Sequence, residues 1–353
     1  MPVLSGAYVL GNRLTIDGSF AAGVSNNVEA AFVEETIDGL YRCEIELAIH
    51  GADGYLYFDR ETFDFGSEIE LSVLVGSEEQ RLFRGVVTGM EGSYAAGGGA
   101  RLTLLAEDRL QDLRMTRRTR TFEDISDEDV MRRIAEEHSL QTDFDSLQGP
   151  THRVLAQTNL SDLAFLRRCA RRLNAELWLE DDALHAAPRP ARGEERLALA
   201  YGAGLQAFVV RADLAHQCTE LIVGGWDPDA KEAIRESADE SAVSSELNGS
   251  EGGSAILADA LGERVAAVVH TVPLSAEEAR AVAQARYRER ARRFVTGEGI
   301  ADGDPRIRVG TILQLSQLGS IFDGDYYVVR TRHHLSLSEG YNTEFAVERA
   351  GVG

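Results

Sequence analysis

Alternating apolar and polar positions dominate the first third of the chain and predict β-strands. Six segments alternate or run apolar over strand length, separated by Gly, Asp and Asn. The segments are NRLTIDG, NVEAAFVEE, YRCEIELAIH, EIELSVLVG, QRLFRGVVTGMEGSY and ARLTLLAED. Short strands at this spacing are typical of a barrel or sandwich. Residues 1–113 are therefore predicted to form a first β-barrel domain.

The pattern changes to helical spacing in residues 114–196. Ser126 with Asp129 three residues later is the start signal of a helix, and apolar positions at helical spacing follow. A second helix is predicted over NLSDLAFLRRCARRLNA, with one face formed by Leu163, Leu166, Cys169, Ala170 and Leu173. The segment AELWLEDDALHAAP predicts a hairpin that turns at Asp181 and Asp182. We expect a small α+β domain here, ending in a linker over 188–195.

Strand patterns return in residues 197–350 and predict a second β-barrel domain that contains one helix. The helix is expected over SAEEARAVAQARYRERARRF, with Ser275 as its cap and Glu278 three residues on. Residues 236–262 are rich in Ser, Glu and Gly, so they are expected to bury little apolar surface and to form an acidic flexible loop. The predicted fold is mainly β with an α+β insert.

The C-terminal stretch FDGDYYVVRTRHHLSLSEGYNTEFAVER, residues 322–349, predicts a β-hairpin turning near Gly340. It carries a His-His pair, His333 and His334, close to two aspartates, which raises the question of a metal or acid–base site. Successive side chains on a strand point to opposite faces, so the two imidazoles diverge and cannot chelate one ion. The stretch is interpreted as scaffold.

Charge and cysteine content narrow the functional classes. With 58 Asp and Glu against 36 Lys and Arg, the net charge is −22, which disfavours binding to a phosphate backbone. The exception is the basic stretch RMTRRTR at 114–120, interpreted as a solvated or interface strand rather than a nucleic-acid site. Cys43, Cys169 and Cys218 lie among apolar neighbours, which indicates reduced core thiols and a reducing compartment. No apolar run long enough to span a membrane and no signal-peptide pattern occurs.

The sequence shows no motif for catalysis. It lacks a glycine-rich nucleotide loop, a nucleophile elbow and the common metal motifs, so no catalytic, cofactor or metal site is predicted. A glycosidase-type carboxylate pair stays open as an alternative, although chance pairs are common among so many acids. The segment WDPDAKEAI places Trp226 at a strand end before Asp227 and Pro228, which is interpreted as an anchor at a barrel rim.

Three stretches resemble a known family. TFEDISDEDVMRRIAEEHSL with the following QTNLSDLAFLRRCARRLNAELWLEDDALHA, then ELIVGGWDPDAKEAI, and then the region from LGERVAAVVHTVPL to GYNTEF are similar to phage late control D proteins and to the VgrG proteins of type VI secretion. The resemblance spans most of residues 100–349 in element order, whereas the first hundred residues fit only by strand content.

The resemblance implies a baseplate hub of a phage tail or of a phage-tail-like injection particle. Such hubs are homotrimers in which each chain supplies two tube-like β-barrels, so three chains adapt a six-fold tail tube to a three-fold spike. The implied partners are the tube protein, the spike and baseplate wedge proteins, with no membrane and no specific nucleic acid. Assembly would take place in the cytoplasm, before the protein becomes part of the particle.

Further expectations follow from this resemblance. Each copy should hold two open-edged strand modules that are completed by three copies around a channel, and acidic residues are expected to line that channel. Because the sequence ends at ERAGVG, directly after the last hub strand, we expect a spike on a separate polypeptide or a trimmed chain, which favours a phage tail or extracellular particle over type VI VgrG. A cell-wall-binding or peptidoglycan-hydrolysing tail module and a monomeric adaptor are the alternatives. The structural or interface candidates are Trp226, Asp227, Pro228, Tyr326, Tyr327, Tyr341 and Phe345.

Overall fold

The structure is a computed structural model that describes residues 9–51, 54–57, 60–95, 99–145, 147–192, 195–269 and 273–353. Residues 1–8 of the predicted first domain lie outside the described residues. The strands are β1 (Val9–Ile16), β2 (Ser19–Phe20), β3 (Val28–Thr36), β4 (Arg42–Ala48), β5 (His50–Gly51), β6 (Gly54–Tyr55), β7 (Glu68–Val75), β8 (Glu78–Tyr94), β9 (Ala100–Glu107), β10 (Arg117–Ser126), β11 (Gln141–Phe144), β12 (Thr151–Ser161), β13 (Ala175–Glu180), β14 (Ala183–Pro188), β15 (Arg196–Tyr201), β16 (Gly204–Ala212), β17 (Glu220–Asp227), β18 (Glu232–Ala238), β19 (Glu251–Gly252), β20 (Val265–Val268), β21 (Val295–Asp302), β22 (Ile312–Ser316), β23 (Gly324–Ser336), β24 (Gly340–Arg349) and β25 (Gly351–Val352). The helices are α1 (Ala22–Ser25), α2 (Leu110–Arg114), α3 (Asp127–Glu137), α4 (Asp162–Arg172), α5 (Arg189–Arg192), α6 (Ser244–Leu247), α7 (Gly253–Leu261) and α8 (Ala276–Arg292), with a 3₁₀ helix at Glu240–Val243.

The first β unit is an open, curved sheet. Its strands follow the order β2-β1-β7-β8-β9-β4-β3, and all six segments predicted as strands are present. Alternate residues face one apolar core that includes Leu14, Ile45, Leu71 and Leu104, all fully buried. In the residues that the structure describes, β1 does not pair with β3, so the predicted first barrel is not closed. The outer edge of β3 is instead hydrogen-bonded to another strand, β23.

The second β unit contains a closed six-stranded barrel. Its strands pair in the order β23-β22-β15-β16-β21-β24, and β24 returns to β23. The interior is filled by aromatic rings and aliphatic side chains, among them Phe208, Tyr326 and Phe345. A filled interior is what a barrel of this size requires. The expectation of two open-edged modules is therefore wrong for this unit, because the β23–β24 pairing removes the edges.

One long strand joins the two units into a single 13-stranded sheet. The first residues of β23 pair with β22, whereas Arg330–Ser336 pair antiparallel with Ala30–Thr36 of β3. The change of partner coincides with an irregularity between Val328 and Arg330 in the pairing of β23 with β24. Irregularities of this kind bend a strand and increase its twist. The sheet therefore passes from barrel to open sheet at this point.

The central unit follows the prediction of helices and a hairpin. Ser126 accepts a hydrogen bond from the Asp129 amide at 3.1 Å and caps α3. Ser161 caps α4 in the same way. The hairpin β13–β14 pairs as expected, and β11 adds to it in parallel. The predicted α4 face is buried at Leu163, Leu166, Cys169 and Ala170. Phe165 is buried as well, although the predicted face does not contain it.

A smaller layer lies on the second unit. The sheet β18-β17-β20 packs on α8, whose N-cap Ser275 accepts from the Glu278 amide at 3.2 Å, as the sequence predicts. The prediction of a flexible loop at 236–262 is wrong, because this segment contains the 3₁₀ helix, α6 and α7. Val243 and Leu257 are the buried contacts that hold it. None of the helices in the described ranges is long and apolar enough to cross a membrane.

Candidate functional site

The three units meet at a buried charged junction. Glu176 of β13 accepts hydrogen bonds from Arg189 Nε at 2.9 Å and Arg192 Nη1 at 3.0 Å. The hydroxyl of Tyr327, on β23, donates to the same carboxylate at 2.6 Å. Arg189 also pairs with Glu348 of β24 at 2.7 Å. This network fastens the central unit to the barrel.

Arg192 extends the junction to the first β unit. Its guanidinium donates to the Tyr41 hydroxyl at 2.8 Å and stacks over the Trp178 ring, 4.1 Å from the centroid. Burial raises the pKa of Tyr41, so the phenol stays protonated and neutral at physiological pH. Gly39, with φ +65°, lets the first unit approach the central one, because a Cβ there would lie 2.5 Å from the Leu177 carbonyl oxygen.

A polar cleft of about 600 Å³ opens beside this junction. Glu35, almost fully buried on β3, forms an ion pair with Arg308 and accepts from the Val309 amide at 3.2 Å. Asp108 also lines the cleft, and burial raises the pKa of its carboxyl to about 7. Both Asp108 oxygens accept backbone hydrogen bonds, from Tyr41 at 2.7 Å and Leu110 at 2.9 Å. These carboxyls thus stabilise contacts within the chain.

A second charged contact joins the central unit to α8. His152 on β12 lies between Asp127, at 2.7 Å, and Glu278, at 2.6 Å. Burial acts to lower the pKa of His152, but the hydrogen bonds to the two carboxylates outweigh it and raise the pKa to about 9. Arg172 also pairs with Asp127. At neutral pH the imidazolium therefore bridges two units, a structural role.

The predicted candidates at the Trp-Asp-Pro turn are exposed. Trp226 is the penultimate residue of β17 and is about half exposed, and Pro228 is exposed as well. Asp227 accepts from the amides of Asp229 and Ala230, both at 2.9 Å, which closes the turn. The strand end and turn are confirmed. The interpretation as a barrel rim is wrong, since β17 belongs to the smaller sheet.

The predicted aromatic candidates in the C-terminal hairpin lie inside the protein. Tyr326, Tyr327 and Phe345 are at most 8% exposed, so they cannot present an interface in this conformation. Tyr341 is half-buried, and its hydroxyl contacts His333 Nδ1 at 2.8 Å. These four residues are structural, because the hairpin is wrapped into the barrel and the joint sheet. Their burial fits the structural part of the prediction, and the interface part stays a prediction.

The histidine pair diverges as the strand period predicts. His333 is fully buried, and burial together with nearby Arg308 lowers its pKa to about 3. His334 faces the other side and stacks on Phe32 with centroids 4.4 Å apart. Within the described part of the chain, no group of three or more His, Cys, Asp or Glu is placed to hold a metal ion. The three cysteines are free and buried, as expected.

The basic stretch 114–120 is largely neutralised within the chain. Arg114 pairs with Glu107, Arg118 with Asp162 at 3.1 Å, and Arg120 with Glu137 at 2.6 Å. Arg117 donates to the Asn159 carbonyl at 2.9 Å. The carboxylates paired with Arg118 and Arg120 reduce the charge that this strand offers to a phosphate backbone, which favours the interpretation as a solvated or interface strand.

The sequence interpretation missed the junction itself. Arg189 and Arg192 belong to PRPARGEE, whose composition predicted a linker, yet they form α5 and are buried. The signal that could have found them is the occurrence of two arginines, three residues apart, after Glu176, a carboxylate within the apolar run AELWL. Buried charges require partners, so such residues indicate a contact between units.

The comparisons with known proteins agree with this fold. The chain matches the crystal structure of the 43 kDa tail protein of prophage MuSo2 from Shewanella oneidensis with TM-score 0.72 and 12% identity, over 96% of this chain and 98% of that one. A tail protein from Neisseria meningitidis matches with TM-score 0.67 and 12% identity, over 97% of each chain. An E. coli component of the type VI secretion system matches with TM-score 0.57 and 12% identity, over 95% of this chain and 76% of that one.

Among curated proteins, no sequence matches this chain. The likeness to the solved structures therefore establishes a fold shared with tail proteins. One family model, described as the Alg8 N-terminal domain, matches residues 14–337. Since that range covers most of the protein, the chain belongs to the Alg8 N-terminal domain family.

Proposed function

We propose that this chain is a structural hub of a phage tail baseplate or contractile injection system. Three copies form a ring around an axial channel and adapt a six-fold tail tube to a three-fold spike. The role needs no catalysis, and the protein acts by presenting surfaces to its neighbours.

The observation that carries the proposal is the joint between β3 and β23. It places an open seven-stranded sheet and a closed six-stranded barrel side by side in one continuous sheet. One copy thereby supplies two similar β units, and three copies supply six. The fold likeness to a prophage tail protein over nearly the whole of both chains supports the same role.

The proposal includes three kinds of partner. The tube protein would contact one end of the ring and the spike the other, with wedge proteins at the periphery. The protein would be made in the cytoplasm and then become part of the particle. We also propose that acidic residues line the channel, so that DNA or acidic cargo does not adhere; a neutral or basic wall in the assembled ring would contradict this part. Domain boundaries near residues 113 and 196 belong to the proposal too.

The test is the mass and image of the purified protein, alone and with its spike. Light scattering should give the mass of a trimer, at the latest once the spike is added, and electron microscopy should give a three-fold ring with a central hole. A protein that stays monomeric with its spike, or an image without a pore, would overturn the proposal. Release of soluble fragments from purified peptidoglycan would favour the hydrolase alternative instead.

A further inference from the structure

A groove of about 580 Å³ crosses the first β unit, separate from the cleft at the charged junction. Two apolar side chains form its walls and point into solvent. Phe65 is 58% exposed and Met115 is 72% exposed. Large aromatic and thioether side chains left in water are typical anchors of a protein interface.

The floor of the groove is shaped by the pairing of β8 with β9. The register shifts between Val87 and Gly89, so Thr88 is the additional residue at this point. Its hydroxyl donates to the Leu105 carbonyl at 3.3 Å. Bulges re-aim side chains next to functional surfaces, and here the half-buried Leu105 and Val86 form an apolar floor.

One end of the groove is basic. Glu107 is 8% exposed and pairs with two arginines, with Arg42 Nε at 3.3 Å and with Arg114. Two guanidiniums share one carboxylate, so the cluster of Arg42, Glu107 and Arg114 by itself carries one net positive charge. Glu44 also lines the groove, two residues along β4 from Arg42 and opposite Leu105. The groove therefore has positive charge at Arg42 and Arg114 and negative charge at Glu44.

We propose that this groove binds an extended segment of a partner protein that carries an apolar side chain followed by carboxylates. The apolar side chain would lie between Phe65 and Met115. The carboxylates would accept hydrogen bonds from the free N–H groups of Arg42 and Arg114, whose planar groups match a carboxylate with two parallel bonds. Charge complementarity selects this occupant, and Glu44 repels a segment placed in the opposite direction. The inference does not rest on the proposed hub function.

The probes are three capped peptides: acetyl-Leu-Asp-Glu-amide, its neutral analogue acetyl-Leu-Asn-Gln-amide, and acetyl-Ala-Asp-Glu-amide without the anchor. The chain contains four methionines, so methyl-labelled methionine gives a simple NMR spectrum. Met131 is fully buried and serves as an internal reference. The acidic leucine peptide should shift the Met115 signal, and the other two peptides should bind about tenfold more weakly.

Matched variants locate the contact. Arg114→Gln and Arg42→Gln should each lower the affinity for the acidic peptide about tenfold, whereas Glu44→Gln should raise that affinity. Arg101→Gln is the control, because Arg101 is an exposed arginine paired with Glu29 on the same unit, outside the groove, and should leave the affinity unchanged. Phe65→Ser should abolish the shift at Met115 without loss of folding, since the ring is exposed.

Three results would overturn the inference. They are an unmoved Met115 signal at the solubility limit of the peptide, equal binding of the neutral analogue, and a self-association of the wild-type protein that Phe65→Ser alone abolishes. The last result would assign the groove to a second copy of this chain. A ring seen by microscopy with no peptide binding would leave the hub function intact and reject only this groove.

Discussion

The two β units differ in closure: among the described residues, the strands of the second unit close into a barrel, whereas those of the first form an open sheet. In the second unit, β24 pairs with both β21 and β23, which completes a six-stranded barrel. In the first unit the sheet ends at β1 and the two-residue β2. The difference lies in one strand, β23, which divides one of its edges between β22 and β3. Closure is therefore decided by long-range partners rather than by strand content.

Closure determines how many strand edges a unit leaves unpaired. A closed barrel has no unpaired edge, whereas an open sheet keeps two. The first unit has one edge covered by β23 and the other blunted by a very short strand, a known protection against unwanted pairing. The first unit therefore depends on the second for its order, and the charged junction reinforces that dependence.

The largest effect is expected from breaking the junction. Glu176→Ala removes the carboxylate that Arg189, Arg192 and Tyr327 share, and leaves two buried guanidiniums without it. We expect a loss of about 3–5 kcal/mol in the free energy of unfolding, measured by denaturant titration. Glu79→Gln, which removes an exposed partner of Arg13, is the control and should cost under about 1 kcal/mol. Equal losses would mean that the junction does not hold the units together.

The strands could be predicted from sequence, and their closure could not. The hairpin of 322–349 and the caps Ser126 and Ser275 are confirmed because a two-residue period and a capping side chain are local signals. The β3–β23 joint links positions about 300 residues apart, and neither strand carries a local sequence signal that identifies its partner strand. The composition around Arg189 and Arg192 predicts a linker, because composition cannot reveal that Glu176 neutralises them in the folded chain.

A pH titration compares a group in the first unit with one in the joint. The pKa of Asp108 is raised to about 7, so its contribution to stability is present at low pH and is lost as the pH rises from about 4 to 7. Asp108→Asn should remove this component, about 4 kcal/mol. His333 acts with the opposite sign. Its pKa is lowered to about 3, so its contribution is present above pH 6.5 and is lost as the pH falls below that value.

The measurement is the free energy of unfolding of the wild type and of Asp108→Asn at several values between pH 4 and pH 8. The free energy of unfolding of Asp108→Asn should increase relative to that of the wild type as the pH rises through this window. A constant difference between the two proteins would show that Asp108 does not titrate there.

A smaller effect is expected from glycines that make room inside the barrel. A Cβ on Gly299 would lie 2.5 Å from the Phe345 ring, whereas a Cβ on Gly11 in the open sheet would meet nothing within 4 Å. Gly299→Ala should cost about 1–3 kcal/mol because a small closed barrel cannot expand. Gly11→Ala should be neutral or slightly stabilising, because alanine reduces the freedom of the unfolded chain. Thermal denaturation of both variants decides whether the closed barrel tolerates an added methyl group less well than the open sheet does.

The smallest effect concerns the free edge of the first unit. Arg13 lies over the Phe20 ring at 4.4 Å, and Arg332 lies over Phe32 at the same distance in the joint. Phe20→Ala should cost about 0.5–1 kcal/mol, the value of an exposed cation–π contact. Phe32→Ala should cost more, since the half-buried Phe32 also stacks on His334. If denaturant titration gives the reverse order, the edge at β2 stabilises the first unit more than its joint with β23 does, and the dependence of the open unit on the closed one is refuted.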